Sequence, residues 1–84
     1  MIHSVLILRR AQRHLADLPT GSYERVRDAI RSLAENPKPR GAKKLVAREG
    51  WRLRVGDYRV VYEVDDRAGT VTVLDVGHRR DIYR

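Results

Sequence analysis

The stretch from Trp51 to Arg59, W-R-L-R-V-G-D-Y-R, leaves this chain few choices. Trp51, Leu53 and Val55 alternate with Arg52 and Arg54, the period of two that marks a strand with one buried face. Gly56-Asp57 follows as a two-residue loop, in which glycine supplies the positive φ of a tight hairpin turn. Tyr58, Val60, Tyr62 and Val64 then alternate with Arg59, Val61 and Glu63 as the returning strand. Closing the hairpin there pairs Val55 with Tyr58, and therefore Arg54 with Arg59. Like charges directly opposite one another destabilise a sheet, so a hairpin that only had to fold would avoid this pair. Arg52, Arg54 and Arg59 on one solvent face read as a site for an anion. Arginine's planar fork suits phosphate, which makes RNA or DNA the first ligand class to consider. The plainer reading, a solvated charged face in an arginine-rich chain, stands beside it.

The remaining pattern supplies the layer that such a hairpin needs. Ile2 to Leu8 reads as a first strand, with Val5, Leu6, Ile7 and Leu8 too apolar for an exposed edge. Arg9 to Leu18 reads as a short helix, because Ala11, Leu15 and Leu18 fall on one stripe away from Arg9, Arg10 and Arg13. Pro19-Thr20-Gly21 breaks it, and Thr20 is placed to cap a second helix from about Ser22 to Glu35. That helix carries Tyr23, Val26, Ile30 and Leu33 as its apolar stripe and stops at Asn36-Pro37. So short a break argues for an antiparallel helical hairpin. Asn36 to Gly50 reads as an irregular basic connector. Asp65 to Gly69 is a turn, and Thr70 to Val76 is a last strand rich in β-branched residues.

The implied architecture is α+β: an N-terminal strand, the helical hairpin, then a three-stranded antiparallel meander with helices on one face. Without a bulge in the second turn, Asp75 falls opposite Arg59, and Gly77 and Arg79 join the arginine face. Leu53, Val55, Tyr58, Val60, Tyr62, Leu74 and Val76 then form the sheet's share of the core. With 84 residues, the whole of 1–84 reads as one domain.

Charge narrows the partner. Lys and Arg number 18 against 11 Asp and Glu, a net +7 that predicts a polyanionic partner and salt-sensitive binding. The chain has no cysteine, which excludes disulfides and thiolate metal sites. Met1 to Leu8 lacks the basic start and cleavage site of a signal peptide, and no apolar run approaches a membrane span. These features point to the cytoplasm and to no membrane partner. Lys43, Lys44 and Arg48 of the connector are candidates for gripping the phosphate backbone of a nucleic-acid substrate, as is Arg80 of the tail; a solvated loop is the plain alternative.

The tail, G-H-R-R-D-I-Y-R from Gly77, gathers His, Arg and Tyr beyond the last strand. RNA cleavage by its own 2′-hydroxyl fits these residue types. It needs the 2′-OH deprotonated, extra negative charge on a phosphorane stabilised, and a proton delivered to the departing 5′-oxygen. Fixed arginines supply the electrostatic part. Tyr83 can stack on an unpaired base. His78 is the side chain near the site whose ordinary pKa permits proton transfer near neutrality. Asp65-Asp66 sits in a turn and no carboxylates and histidines have metal-ligand spacing, so neither a metal nor another cofactor is expected.

Taken together, W-R-L-R-V-G-D-Y-R-V-V-Y and the later V-G-H-R-R-D-I-Y-R resemble the RelE branch of the RelE/ParE toxins of type II toxin–antitoxin systems, over essentially the whole chain. The resemblance implies a metal-independent, ribosome-dependent endonuclease that cuts mRNA in the 30S A site. It also implies a RelB-like antitoxin that wraps the toxin, with operator DNA reached only through that antitoxin. By the same resemblance, Arg52 and Arg54 contribute to the reaction centre and Arg59 contacts the scissile phosphate. Arg79 assists protonation of the leaving group, and Tyr83 stacks on a substrate base. One departure matters: the family's best-studied member has lysines at the positions of Arg52 and Arg54, one of them proposed as general base. Arginine is effectively never deprotonated. Relatives with a C-terminal histidine use it for proton transfer, which makes His78 the replacement; alternatively the arginines act only electrostatically and ribosome or solvent takes the proton. Two further readings share the fold: a ParE-type inhibitor of DNA gyrase, and a catalytically inactive antitoxin-binding relative or general RNA-binding module.

Overall fold

The structure, a computed structural model, describes residues 2–46 and 48–78. Its elements are β1 (Ser4–Ile7), α1 (Arg9–Ala16), α2 (Thr20–Ser32), β2 (Ala42–Lys44), β3 (Trp51–Val55), β4 (Tyr58–Asp65) and β5 (Thr70–His78). The strands form one five-stranded sheet in the order β1-β5-β4-β3-β2. β1 runs parallel to β5, and every other neighbouring pair is antiparallel. Because β1 and β2 occupy opposite edges, the α1–α2 hairpin must carry the chain across the width of the sheet. That crossing is what lays both helices over one face. No described helix is long and apolar enough to cross a membrane.

The core lies between the helices and that face. Ala11 and Leu15 of α1, Val26 and Ile30 of α2, and Leu33 pack on Leu53, Val60, Tyr62, Val71, Val73 and Val76. Tyr62 is fully buried. Its hydroxyl donates to the Pro37 carbonyl at 2.8 Å, which ties the segment after α2 down over the sheet. Burial pushes the Tyr62 phenol up to about 12, since the phenolate would lose its hydration.

Several expectations are corrected. β1 is an edge strand after all, with Leu6 and Leu8 about half exposed; its one sheet partner is β5, and Gln12 Nε2 covers the Ile7 carbonyl at 2.7 Å. Thr20 does not cap α2: Pro19, in extended conformation, takes that position and Thr20 begins the helix without a side-chain cap. Both helices end earlier than their apolar stripes suggest. After Ser32 the backbone tightens into i→i+3 bonds, Leu33 to Ile30, Ala34 to Arg31 and Glu35 to Ser32, which spend the last carbonyls of α2. The connector expected to be irregular contains β2, which pairs with β3 and makes the meander four strands wide.

The most consequential correction is a bulge. β5 pairs with β4 in one register from Thr70 to Val73 and in a shifted one from Asp75 to His78, the irregularity falling at Val61/Tyr62. The extra residue, Leu74, has no partner across the ladder and drops out of the core, while Val71 and Val73 before it and Val76 after it are completely buried. A bulge lets one strand switch the parity of its buried set in mid-course. The turn closes one residue later than expected, at Asp65↔Thr70, and the bulge adds a second, so Asp75 lies opposite Val61 rather than Arg59 and Gly77 lies opposite Arg59.

Candidate nucleic-acid interface

The hairpin forms in the register its sequence dictates: Val55 pairs with Tyr58 and Arg54 with Arg59. Gly56 holds φ +61° at the turn. Paired residues share a face, so two rows of side chains run across the sheet on the side away from the core. One row is Lys43, Arg52 and Val61; the next is Arg54, Arg59 and Gly77. Asp75, opposite Val61 at the bulge, turns its carboxylate to α1. Lys43 thus joins the three arginines, and the glycine beside Arg59 adds no side chain to crowd it.

The face is not bare. Val61 is only 5% exposed although it stands outside the helix-side core, and Arg52 and Arg59 beside it are half-buried. Long arginine stems cover apolar surface, and at Arg59 the burial reaches the guanidinium itself, whose Nη1 is buried. Arg54 is exposed and folds toward the turn, its Nε donating to the Gly56 carbonyl at 3.0 Å.

Glu63, two residues beyond Val61 on β4, is an exposed acid on this side, whereas Asp75, Asp65 and Asp66 are engaged elsewhere. Asp75 accepts from Arg10 Nη2 at 3.0 Å through one carboxylate oxygen, and its other oxygen lies 2.7 Å from His14 Nδ1. Arg10 and His14 are one helical turn apart on α1, so one face of that helix holds the strand just past its bulge. Sequence reasoning passed over this contact, although the i, i+4 spacing of two cationic types was its visible half. The Asp65 carboxylate takes the backbone N–H groups of Arg67 and Ala68 at 3.0 Å each, closing the β4–β5 turn. Asp66 is held by buried His3 at 3.2 Å and by Lys38 at 3.6 Å.

Other candidate residues fall away from the two rows. Lys44 pairs with Trp51 and takes the opposite parity, and Arg48 is exposed in the β2–β3 link. His78 pairs with Tyr58, and its ring meets the Tyr58 ring edge-on, with centroids 5.7 Å apart and planes at 80°. Tyr58 packs against the helix-side core, so His78 sits on the side of the sheet opposite Arg54 and Arg59. Arg79, Arg80 and Tyr83 lie outside the described residues.

Comparison with known proteins fits this arrangement. The family model of the ParE toxin of type II toxin–antitoxin systems matches residues 5–83. Toxin RelG of Mycobacterium tuberculosis is 55% identical over 31 residues, a match spanning 37% of this chain and 36% of that protein. Among solved structures, the toxin–antitoxin complex RelBE2 of Mycobacterium tuberculosis superposes with a TM-score of 0.81 at 32% identity, covering 94% of this chain and 100% of the matched one. The archaeal RelE–RelB complex of Pyrococcus horikoshii gives 0.80 at 26% identity, covering 96% and 99%. From its hairpin register to its edge strands this is a RelE-type fold, and the chain belongs to the RelE/ParE family of type II toxin–antitoxin toxins.

Proposed function

We propose that this toxin is a ribosome-dependent endoribonuclease that cleaves mRNA in the A site without a metal ion. The observation that carries the reading is the Arg54–Arg59 pair, two like charges set directly opposite on a sheet face that Arg52 and Lys43 extend. That arrangement costs folding energy and is suited to a polyanion. In the reaction, the substrate 2′-oxygen loses its proton and attacks phosphorus, the bond to the 5′-oxygen breaks, and that oxygen takes up a proton. The products are a 2′,3′-cyclic phosphate and a 5′-hydroxyl. Arg59 binds the scissile phosphate, and Arg52 and Arg54 stabilise the charge that grows on it. Arg79 assists the leaving group and Tyr83 stacks on a base, roles that rest on family resemblance.

For the proton from the 2′-OH, the placement of His78 against Tyr58, across the sheet from the arginines, favours the electrostatic version over histidine catalysis. In that version solvent or the ribosome accepts the proton, because no arginine can. The partner that silences the toxin is a RelB-like antitoxin, whose acidic residues suit a surface of net charge +7 and which carries the operator-binding function.

The ParE description of the matching family model favours one rival, inhibition of DNA gyrase. A gyrase-binding protein has no need for converging arginine rows on a sheet face. Inducing the toxin in a reporter strain separates the two. Immediate translation arrest with no DNA-damage response is expected, whereas a damage response that precedes any loss of protein synthesis would move the function to gyrase.

A further inference from the structure

The β3–β4 turn is approached by a cation from each side of the sheet. From the face side, Arg54 Nε donates to the Gly56 carbonyl at 3.0 Å. From the helix side, the Arg25 guanidinium of α2 lies over the same glycine: a Cβ built at Gly56 would stand 3.2 Å from Arg25 Nη2, 3.6 Å from Cζ and 3.7 Å from Nη1. Gly56 therefore serves twice, by allowing φ +61° and by leaving room for this guanidinium.

Among the described residues no carboxylate pairs with Arg25 to explain its position. Asp28, one turn along α2, is engaged by Arg27 through Nε at 3.1 Å and Nη2 at 3.0 Å. Among the described residues Arg25 makes no ion pair, and neither does Asp57, the acid of the turn itself. Two cationic side chains flanking one turn raise the positive potential at its tip, which favours an anion there. A tetrahedral phosphate, which accepts from forked N–H donors on several sides, fits two arginines approaching from different directions.

We propose that Arg25 and Arg54 form a second phosphate site at the β3–β4 turn. It continues the cationic rows around the end of the sheet and holds a backbone phosphate of RNA. The proposal rests on the reading of the arginine face as an RNA site and adds an α-helical residue to it. The phosphate belongs either to the mRNA strand or to ribosomal RNA, which present the same chemistry.

The test measures binding against salt for the intact protein, with two probes. The first is a 2′-O-methyl oligoribonucleotide, which cannot be cleaved, followed by fluorescence anisotropy over a KCl series. The second is the 70S ribosome, followed by co-sedimentation over the same series. Arg25→Gln is expected to weaken binding several-fold and to flatten the plot of log affinity against log salt by about 0.7, the value of one phosphate contact on a single strand. Arg25→Lys keeps the charge and is expected to retain the slope. An unchanged melting temperature in both variants establishes that the fold is intact. Flattening with the oligoribonucleotide assigns the phosphate to the strand, and flattening with the ribosome alone assigns it to ribosomal RNA. If Arg25→Gln keeps the wild-type slope with both probes while Arg59→Ala loses it, the second site is wrong and the arginine face stands. If Arg59→Ala also keeps the wild-type slope, the RNA reading of the face fails and takes this site with it.

Discussion

Arg54 and Arg59 sit opposite one another where a sheet optimised for stability would place Thr with Arg, or Glu with Arg. A cross-strand pair is worth roughly 0.2–1 kcal/mol, and like charges reverse its sign. Replacing Arg54 with Thr is therefore expected to stabilise the protein by a few tenths of a kcal/mol up to about 1 kcal/mol, measured by urea denaturation. The same variant is expected to lose cleavage activity. Stabilisation without loss of activity would make the pair an accident of composition. His78 carries a contrasting prediction. With its ring against Tyr58, His78→Gln is expected to retain most single-turnover cleavage, with no change in the shape of the profile between pH 5 and 9. A loss of more than about tenfold confined to one limb of that profile would restore histidine as the proton carrier.

At the scale of elements, the bulge in β5 decides which side chains hold the sheet to the helices. Val73 is completely buried and Leu74 is not, so the two should respond in inverse order of size. Val73→Ala is expected to cost about 2 kcal/mol and Leu74→Ala less than about 1 kcal/mol, read from denaturation midpoints; the reverse order would mean that the strand keeps one register throughout. Tyr62 fastens the segment after α2 through its hydroxyl. Its pKa is raised from 10.0 to about 12 in the fold, so the folded protein keeps a proton that the unfolded chain has released. The stability it confers is complete below pH 10.0 and is lost as the pH climbs toward about 12, on the order of 2 kcal/mol in all. Tyr62→Phe should be less stable at neutral pH, by about 1 kcal/mol for the lost hydrogen bond, and should lack this alkaline decline. Parallel alkaline curves for the two proteins would refute the assignment.

These elements also mark what could be read from the chain. The β3–β4 hairpin was legible down to its pairing, because a period of two and a Gly-Asp loop leave one register. The helical stripes were legible in their core residues, with Ala11, Leu15, Val26, Ile30 and Leu33 all buried. The bulge was not, since T-V-T-V-L-D-V alternates well enough in either parity and only packing against Val60 and Tyr62 selects between them. Nor was the edge position of β1, which depends on a parallel pairing with residues more than sixty positions away. β2 escaped because three residues, A-K-K, carry no periodicity of their own and gain strand geometry only from β3. Within the site, the arginine face was legible from the hairpin, whereas the sides taken by His78 and Lys44 and the reach of Arg25 to Gly56 depend on neighbours brought by the fold.

Across the whole molecule, the sheet divides two kinds of work. One face carries the helices and the core that make a chain of 84 residues fold; the other carries cations that folding alone would not gather. The bulge sets which β5 side chains meet the helices, and the Arg10–Asp75–His14 contact ties α1 to the strand beyond it. The account stands on the claim that this face acts on mRNA. The measurement that tests it most directly is primer extension on a reporter message in a translating extract, with the wild-type protein and Arg59→Ala side by side. The account predicts cuts in phase with codons, dependent on ribosomes, and weakened by about 10²–10³-fold in the variant, the scale for removing one donor to a developing negative charge. An intact message with active translation, or identical cutting by the two proteins, would contradict it.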